Sequence, residues 1–361
     1  MKRYQLACVL GLMVGFVGTP AWGQVETDPS PEQIQDMHAT GSLAIQAVQG
    51  TPDGPPIGIT EVEVDLFHQN AVVKAIRAEL DEYGIVVIDD IPLNIRVRPV
   101  VRVKHAGVTY QEVGEFMDLT RPQQTIKVTC YEVTDEMPAW TIPIRQVMLS
   151  YVPSGIKVTE IMMVMNPAKR TWLGTEHPPD QPITMEITLP EGAEEVTLGK
   201  GFHDWCCTSL EDGKLVNHLP LMPHITELNL SYVLPVDTKS IDLDLRAQAD
   251  IEQMVVVLPE EMHTHEVNGL ALGGTKQIAD TSVRYYTATD LRKDDVVGLA
   301  ITGLTPVRAD TQGSTPEINN ALGLVAIVGV VVMVAIVIFV ILSARSREQD
   351  QEGKDSSADS P

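Results

Sequence analysis

The chain has 361 residues, with 49 acidic against 26 basic side chains, a formal net charge of −23 and only 5% aromatic residues. So acidic a surface argues against nucleic-acid backbones and anionic lipid headgroups as partners. It suits cationic ligands, basic proteins or divalent cations, although solubility explains it equally well.

In chain order, the opening MKRYQLACVLGLMVGFVGTPAWGQ places Lys2 and Arg3 before an apolar run at 6–17 and then Ala21-Trp22-Gly23. That order predicts a secretory leader over 1–23, cleaved before Gln24; the run is short for a spanning helix, and an uncleaved anchor is the competing reading. Residues 24–40, with Pro29 and Pro31, read as a flexible lead-in.

From residue 41 the chain breaks into short runs separated by turn residues. In TEVEVDLF, Val62, Val64 and Leu66 alternate with Glu61, Glu63 and Asp65, the period of a half-buried strand. The stretch 71–93, AVVKAIRAELDEYGIVVIDDIPL, admits two readings. Its first half has good helix formers and Gly84 as a stop; its second half is β-branched and strand-like. Neighbouring runs recur every 8–12 residues with no parallel-sheet pattern, which favours strand–turn–strand with LDEYG as a hairpin turn. IRVRPVVRVKHAGVTYQEV alternates around Pro99, which suits an edge or a bulge.

Taken together, GTPDGPP, EVDLF, the 71–93 segment and RPVVRVKHAGVTYQ resemble the carboxypeptidase regulatory-like domain, a transthyretin-like β-sandwich. Leu80, Asp81 and Gly84 stand at that family's turn, Ile91 and Pro92 at its Leu-Pro-like step, and Gly107, Val108 and Tyr110 at its Gly-Val-x-Tyr-like close. The resemblance covers residues 41–132. Glu82-Tyr83 before the glycine, and Ala and Glu where Thr-rich strands are usual, depart from the family pattern. The resemblance implies a β-sandwich without catalytic residues of its own.

Eight further strand-like runs lie between 138 and 304: WTIPIRQVMLSYV, IKVTEIMMVMNP, ITMEITLP, HITELNLSYVLP, SIDLDL, IEQMVVVLP, SVRYYTA and DVVGLAITGL. They predict a second, larger sandwich at 138–304, taken as one domain rather than split near Asp237. Residues 305–320 read as a polar linker. Residues 321–342 carry no charge and are long enough to cross a bilayer once, with Arg345 and Arg347 directly after. The positive flank predicts a cytoplasmic tail at 343–361, disordered by composition, and an extracytoplasmic bulk. The fold class expected is therefore all-β: two β-sandwich domains outside the membrane plus one C-terminal transmembrane helix.

Among candidate sites, the His-x-x-Glu spacing of a carboxypeptidase zinc centre does not occur within residues 41–132. Neither do a Gly-rich phosphate loop or a GxSxG elbow. EEMHTHEV places His263 and His265 at i, i+2, on one face if extended, with Glu261 in the same parity. Imidazoles there, with Met262 and Met254 nearby, would suit copper, nickel or zinc; a solvated loop after Pro259 is the plainer reading. GFHDWCC gathers His203, Asp204, Cys206 and Cys207, which suit a transition metal, a disulfide or ordinary packing around Trp205. Cys130 pairs with one of the two neighbours, or the neighbours pair with each other, or all three are thiols. The methionines of IMMVM at 161–165 read as core filler before a binding surface. Asn229-Leu230-Ser231 is a sequon inside a strand.

These residues describe a non-enzymatic binding or scaffolding module, needing no cofactor, displayed outside a cell membrane (periplasmic or extracellular) by one span. Its expected partner is another envelope protein or a carbohydrate. The alternative is extracytoplasmic copper-type metal handling or cytochrome assembly through His263 and His265.

Overall fold

The computed structural model describes residues 39–175, 182–236, 239–278 and 281–304. The leader, nearly all of the lead-in, the linker, the span and the tail lie outside the described residues. Within them, no helix is long and apolar enough to cross a membrane.

The buried side chains fall into two clusters. The first unit has seven strands: β1 (Thr40–Gln49), β2 (Glu61–His68), β3 (Ala71–Glu79), β4 (Ile85–Pro92), β5 (Arg98–His105), β6 (Val108–Val113) and β7 (Gln123–Cys130). They form two facing sheets, ordered β4-β1-β7 and β3-β2-β5-β6, with β1 and β7 parallel. The alternation read in β2 turns Val62, Val64 and Leu66 into the core, where they meet Leu43 and Ile45 of β1 and Val101 and Val103 of β5. Pro99 pairs with Leu66 near the start of β5, just before β5 begins to pair with β6 at Val100. The edge expected there is therefore a strand end, where a missing N–H breaks no ladder.

Both halves of 71–93 are strands, but they do not pair as the hairpin expected. β3 is the edge of the four-stranded sheet and β4 the edge of the three-stranded one. The turn between them carries the chain across the sandwich. Its geometry is set by Asp81, whose carboxylate accepts the backbone N–H groups of Tyr83 and Ile85, both at 2.9 Å. Gly84 has φ +74°, and a Cβ there would lie 2.7 Å from the Ile57 carbonyl oxygen. Gly84→Ala is therefore expected to destabilise the first unit by about 1–3 kcal/mol, read from its thermal midpoint, because left-handed backbone and a backbone collision coincide.

A short connection leads into the second unit. β8 (Val133–Thr134) pairs in parallel with β11 (Thr171–Trp172), on the far side of β9 (Thr141–Val152) and β10 (Gly155–Asn166). There follow β12 (Met185–Thr188), β13 (Glu194–Leu198), β14 (Thr208–Glu211), β15 (Lys214–Asn217), β16 (His224–Pro235), β17 (Ser240–Arg246), β18 (Ile251–Pro259), β19 (His263–Asn268), β20 (Ala271–Ile278), β21 (Thr281–Leu291) and β22 (Val296–Thr302). A seven-stranded sheet, β13-β16-β10-β9-β18-β21-β20, forms the spine; β12-β15-β14 and β17-β22-β19 are separate three-stranded sheets. Buried residues from 142 to 304 make one cluster, and Met162 of the methionine run lies within it.

One ion pair is sealed inside this core. The Arg145 and Glu160 side chains are each 1% exposed and meet at 2.7 Å. Tyr232 donates to the other Glu160 oxygen at 2.8 Å, while Arg145 also reaches the Arg246 carbonyl at 2.7 Å. Burial, reinforced by the Glu160 charge, pushes the Tyr232 phenol well above its ordinary range.

The units are joined by more than the connection. The Tyr110 hydroxyl donates to the Tyr131 carbonyl at 2.7 Å and shares a 2.8 Å hydrogen bond with Thr171. Thr51 donates to the Lys169 carbonyl at 2.8 Å and accepts from the Glu132 N–H at 2.9 Å. The Glu132 carboxylate accepts from His105 and from Gln49, both at 2.9 Å. The His105 hydrogen bond is the main reason its carboxyl is held below the usual carboxylate range. A depressed folded value means stability that is complete above the unfolded value and lost as pH falls through the folded one. As pH falls below the ordinary glutamate range, about 4.3, the thermal midpoint should therefore fall more steeply in the native chain than in Glu132→Gln.

Candidate functional site: a cleft between the two units

The outer face of β2, β5 and β6 stands opposite the loop after β13 and the segment between β15 and β16, enclosing a cleft of about 630 Å³. From the first unit come Glu63, Arg102, Thr109 and Gln111; from the second come His203, Trp205, Asn217 and Thr226, with an apolar stretch at 219–222. Small-ligand sites favour such positions between structural units, at volumes of about 300–1,000 Å³.

The loop 199–208 is shaped by its anchors. Phe202 is buried in the second core, and the His203 N–H donates to the Thr208 hydroxyl at 3.2 Å. The Cys207 N–H closes a turn onto the His203 carbonyl at 3.0 Å. With Phe202 inward and the turn closed, Trp205 is thrown outward: it is 80% exposed and its ring stacks on His203 at 5.7 Å with a 14° interplanar angle. Packing around Trp205, one of the sequence expectations, is thus replaced by display, because Phe202 already fills the core position.

Cys206 and Cys207 are joined in a disulfide, so neither sulfur is a thiolate that could ligate a metal. Cys130 is a buried free thiol at the end of β7, and burial pushes it up to about 12. His203 Nδ1 lies 3.8 Å from the Cys206 sulfur.

The charges of the cleft are already engaged. Arg102 contacts Asp65 at 2.6 Å and donates to Gln111 at 3.1 Å; Glu63 faces Arg77 at 3.1 Å. Asn217 is buried: its Oδ1 accepts from the Thr208 hydroxyl at 3.1 Å and from the Leu219 N–H at 3.4 Å.

The other sequence candidates lie elsewhere. His263 and His265 are exposed on β19, where the register to β22 shifts between Thr264 and Glu266, so strict alternation does not hold them on one face. Met262 and Met254 are wholly buried in the second core rather than turned toward the imidazoles. Among the described residues, no group of three His, Cys, Asp or Glu side chains could hold a metal ion. Asn229 lies in β16, its amide donating to Glu227 at 3.0 Å.

No family model matches the chain. No curated protein matches it either. Among solved structures it is similar to the full-length major pilin SpaD from Corynebacterium diphtheriae, at 12% identity over 74% of this chain and 84% of that one, TM-score 0.21. The major pilin SpaA from the same organism is similar at 12% identity over 58% and 62%, TM-score 0.19. Invasin, a bacterial integrin-binding protein, is similar at 10% identity over 73% and 60%, TM-score 0.14. At such scores none of the three carries an argument about this chain.

Proposed function

We propose that this chain is a non-enzymatic binding module, held outside the cytoplasm by the span at 321–342, and that the cleft between its two units is the binding face. The observation that carries the reading is Trp205, stacked on His203 and 80% exposed at the mouth of a cleft walled by both units. A protruding tryptophan beside hydrogen-bonding side chains is the usual anchor of a recognition surface. The Cys206–Cys207 disulfide suits an oxidising compartment. We assign residues 41–132 to the carboxypeptidase regulatory-like kind. The turn built on Asp81 and Gly84, and Tyr110 closing toward the second unit, support that assignment.

Placing a benzophenone amino acid at position 205 and illuminating intact cells tests the binding face, because the photoproduct inserts into C–H bonds of proteins and sugars alike. The expected outcome is an adduct from position 205 and none from position 83, where Tyr83 is 74% exposed. No adduct at 205, or equal adducts at both, would overturn the reading.

A further inference from the structure

The chemistry of the cleft also narrows the class of ligand. Resting on the reading above, we propose that the ligand is an uncharged oligosaccharide, seated with a sugar ring on the indole of Trp205.

Three observations converge on that class. The first is the plate itself. His203 backs Trp205 at 5.7 Å with nearly parallel rings, which holds one broad π-face outward. The electron-rich face of an indole attracts positively polarised edges, and the axial C–H groups of a pyranose present such an edge over a flat area of matching size. The second is that the ionic groups of the cleft are neutralised from within. Arg102 is taken by Asp65 at 2.6 Å and Glu63 by Arg77 at 3.1 Å, so a charged ligand would have to break an existing pair to gain its own. The third is the kind of polar group left over. The Asn217 amide and the Thr109 and Thr226 hydroxyls line the same walls. Amides and hydroxyls donate and accept without charge, which matches the alternating donors and acceptors of sugar hydroxyls. A volume of about 630 Å³ accommodates a short oligosaccharide rather than a single small ion.

The full chain is tested in lipid nanodiscs, since sugar-headed detergents would compete. The probes are maltotriose, cellotriose and chitotriose, together with an array of neutral glycans; trigalacturonate and oligolysine serve as acidic and basic controls. Calorimetry and tryptophan fluorescence are expected to show saturable binding of a neutral glycan and none of either control. Trp205→Ala should weaken that binding about tenfold, and Trp205→Phe should retain most of it. Unchanged circular dichroism in both variants shows that the loss is local. Absence of neutral-glycan binding, or binding indifferent to Trp205→Ala, overturns the proposal. If at the same time the position-205 photoadduct proves to be peptide, the sugar assignment falls while the binding face stands. If there is neither glycan binding nor photoadduct, both fall.

Discussion

Replacing Glu160 with alanine is expected to destabilise the second unit by about 3–5 kcal/mol, the largest loss from any single charged residue described here. The reason is not the strength of the pair but what is left behind. Arg145 is 1% exposed and always cationic, and its remaining partners, the Arg246 carbonyl and Gln248 Oε1, are neutral. Removing Glu160 also strips the acceptor from the buried Tyr232 hydroxyl. The triple change Arg145→Met, Glu160→Leu, Tyr232→Phe removes the whole network at similar volume and should recover most of the loss, because desolvating both charges offsets much of their attraction. Urea unfolding of the second unit measures both. A loss below about 1 kcal/mol for Glu160→Ala would mean that water reaches Arg145.

Tyr110→Ala carries the second large effect and acts on both units at once. The ring is 2% exposed in the first core, so truncation should cost about 3–5 kcal/mol there through the cavity it leaves. The hydroxyl ties Tyr131 and Thr171, so the same change loosens the first unit's hold on the second. Tyr110→Phe separates the two contributions: it keeps the ring, leaves the fully buried Thr171 hydroxyl short of a partner, and should cost about 1–3 kcal/mol. Calorimetry should show one transition in the native chain, and two separated ones in Tyr110→Ala. Co-melting in both would place the coupling elsewhere, in the β8–β11 pair.

Much of the fold was legible because burial leaves a period-2 trace. β2 alternates cleanly, β10 and β18 carry unbroken apolar runs at 161–165 and 254–258, and the eight runs read between 138 and 304 correspond to β9, β10, β12, β16, β17, β18, β21 and β22. The strands missed there, β11, β13, β14, β15, β19 and β20, are short or largely exposed and carry little hydrophobic pattern. One signal was available: Asp212 and Gly213, both with positive φ, form the tight turn of the β14–β15 hairpin. The crossing at Gly84 was misread as a hairpin because a turn signature reports the bend and not the sheet to which the next strand returns.

The cleft was not legible at all. Its walls lie near residues 63, 102–111 and 201–228, and only the docking of the two units brings them together. For GFHDWCC a metal set, a disulfide and packing around Trp205 all stood open; its geometry turns on an outward Trp205 and on the Cys206–Cys207 disulfide, which removes both thiols. Residue chemistry alone identified the segment; which side chain faces outward depended on Phe202 taking the core position.

Hydroxyl-radical footprinting of Trp205 tests the central claim most directly, in the purified chain and in the intact envelope, with Tyr83 as an equally exposed reference. The binding-face reading predicts rapid oxidation of Trp205 in the purified chain and strong protection in the envelope, while Tyr83 reacts in both. Equal oxidation of Trp205 in the two settings would contradict it.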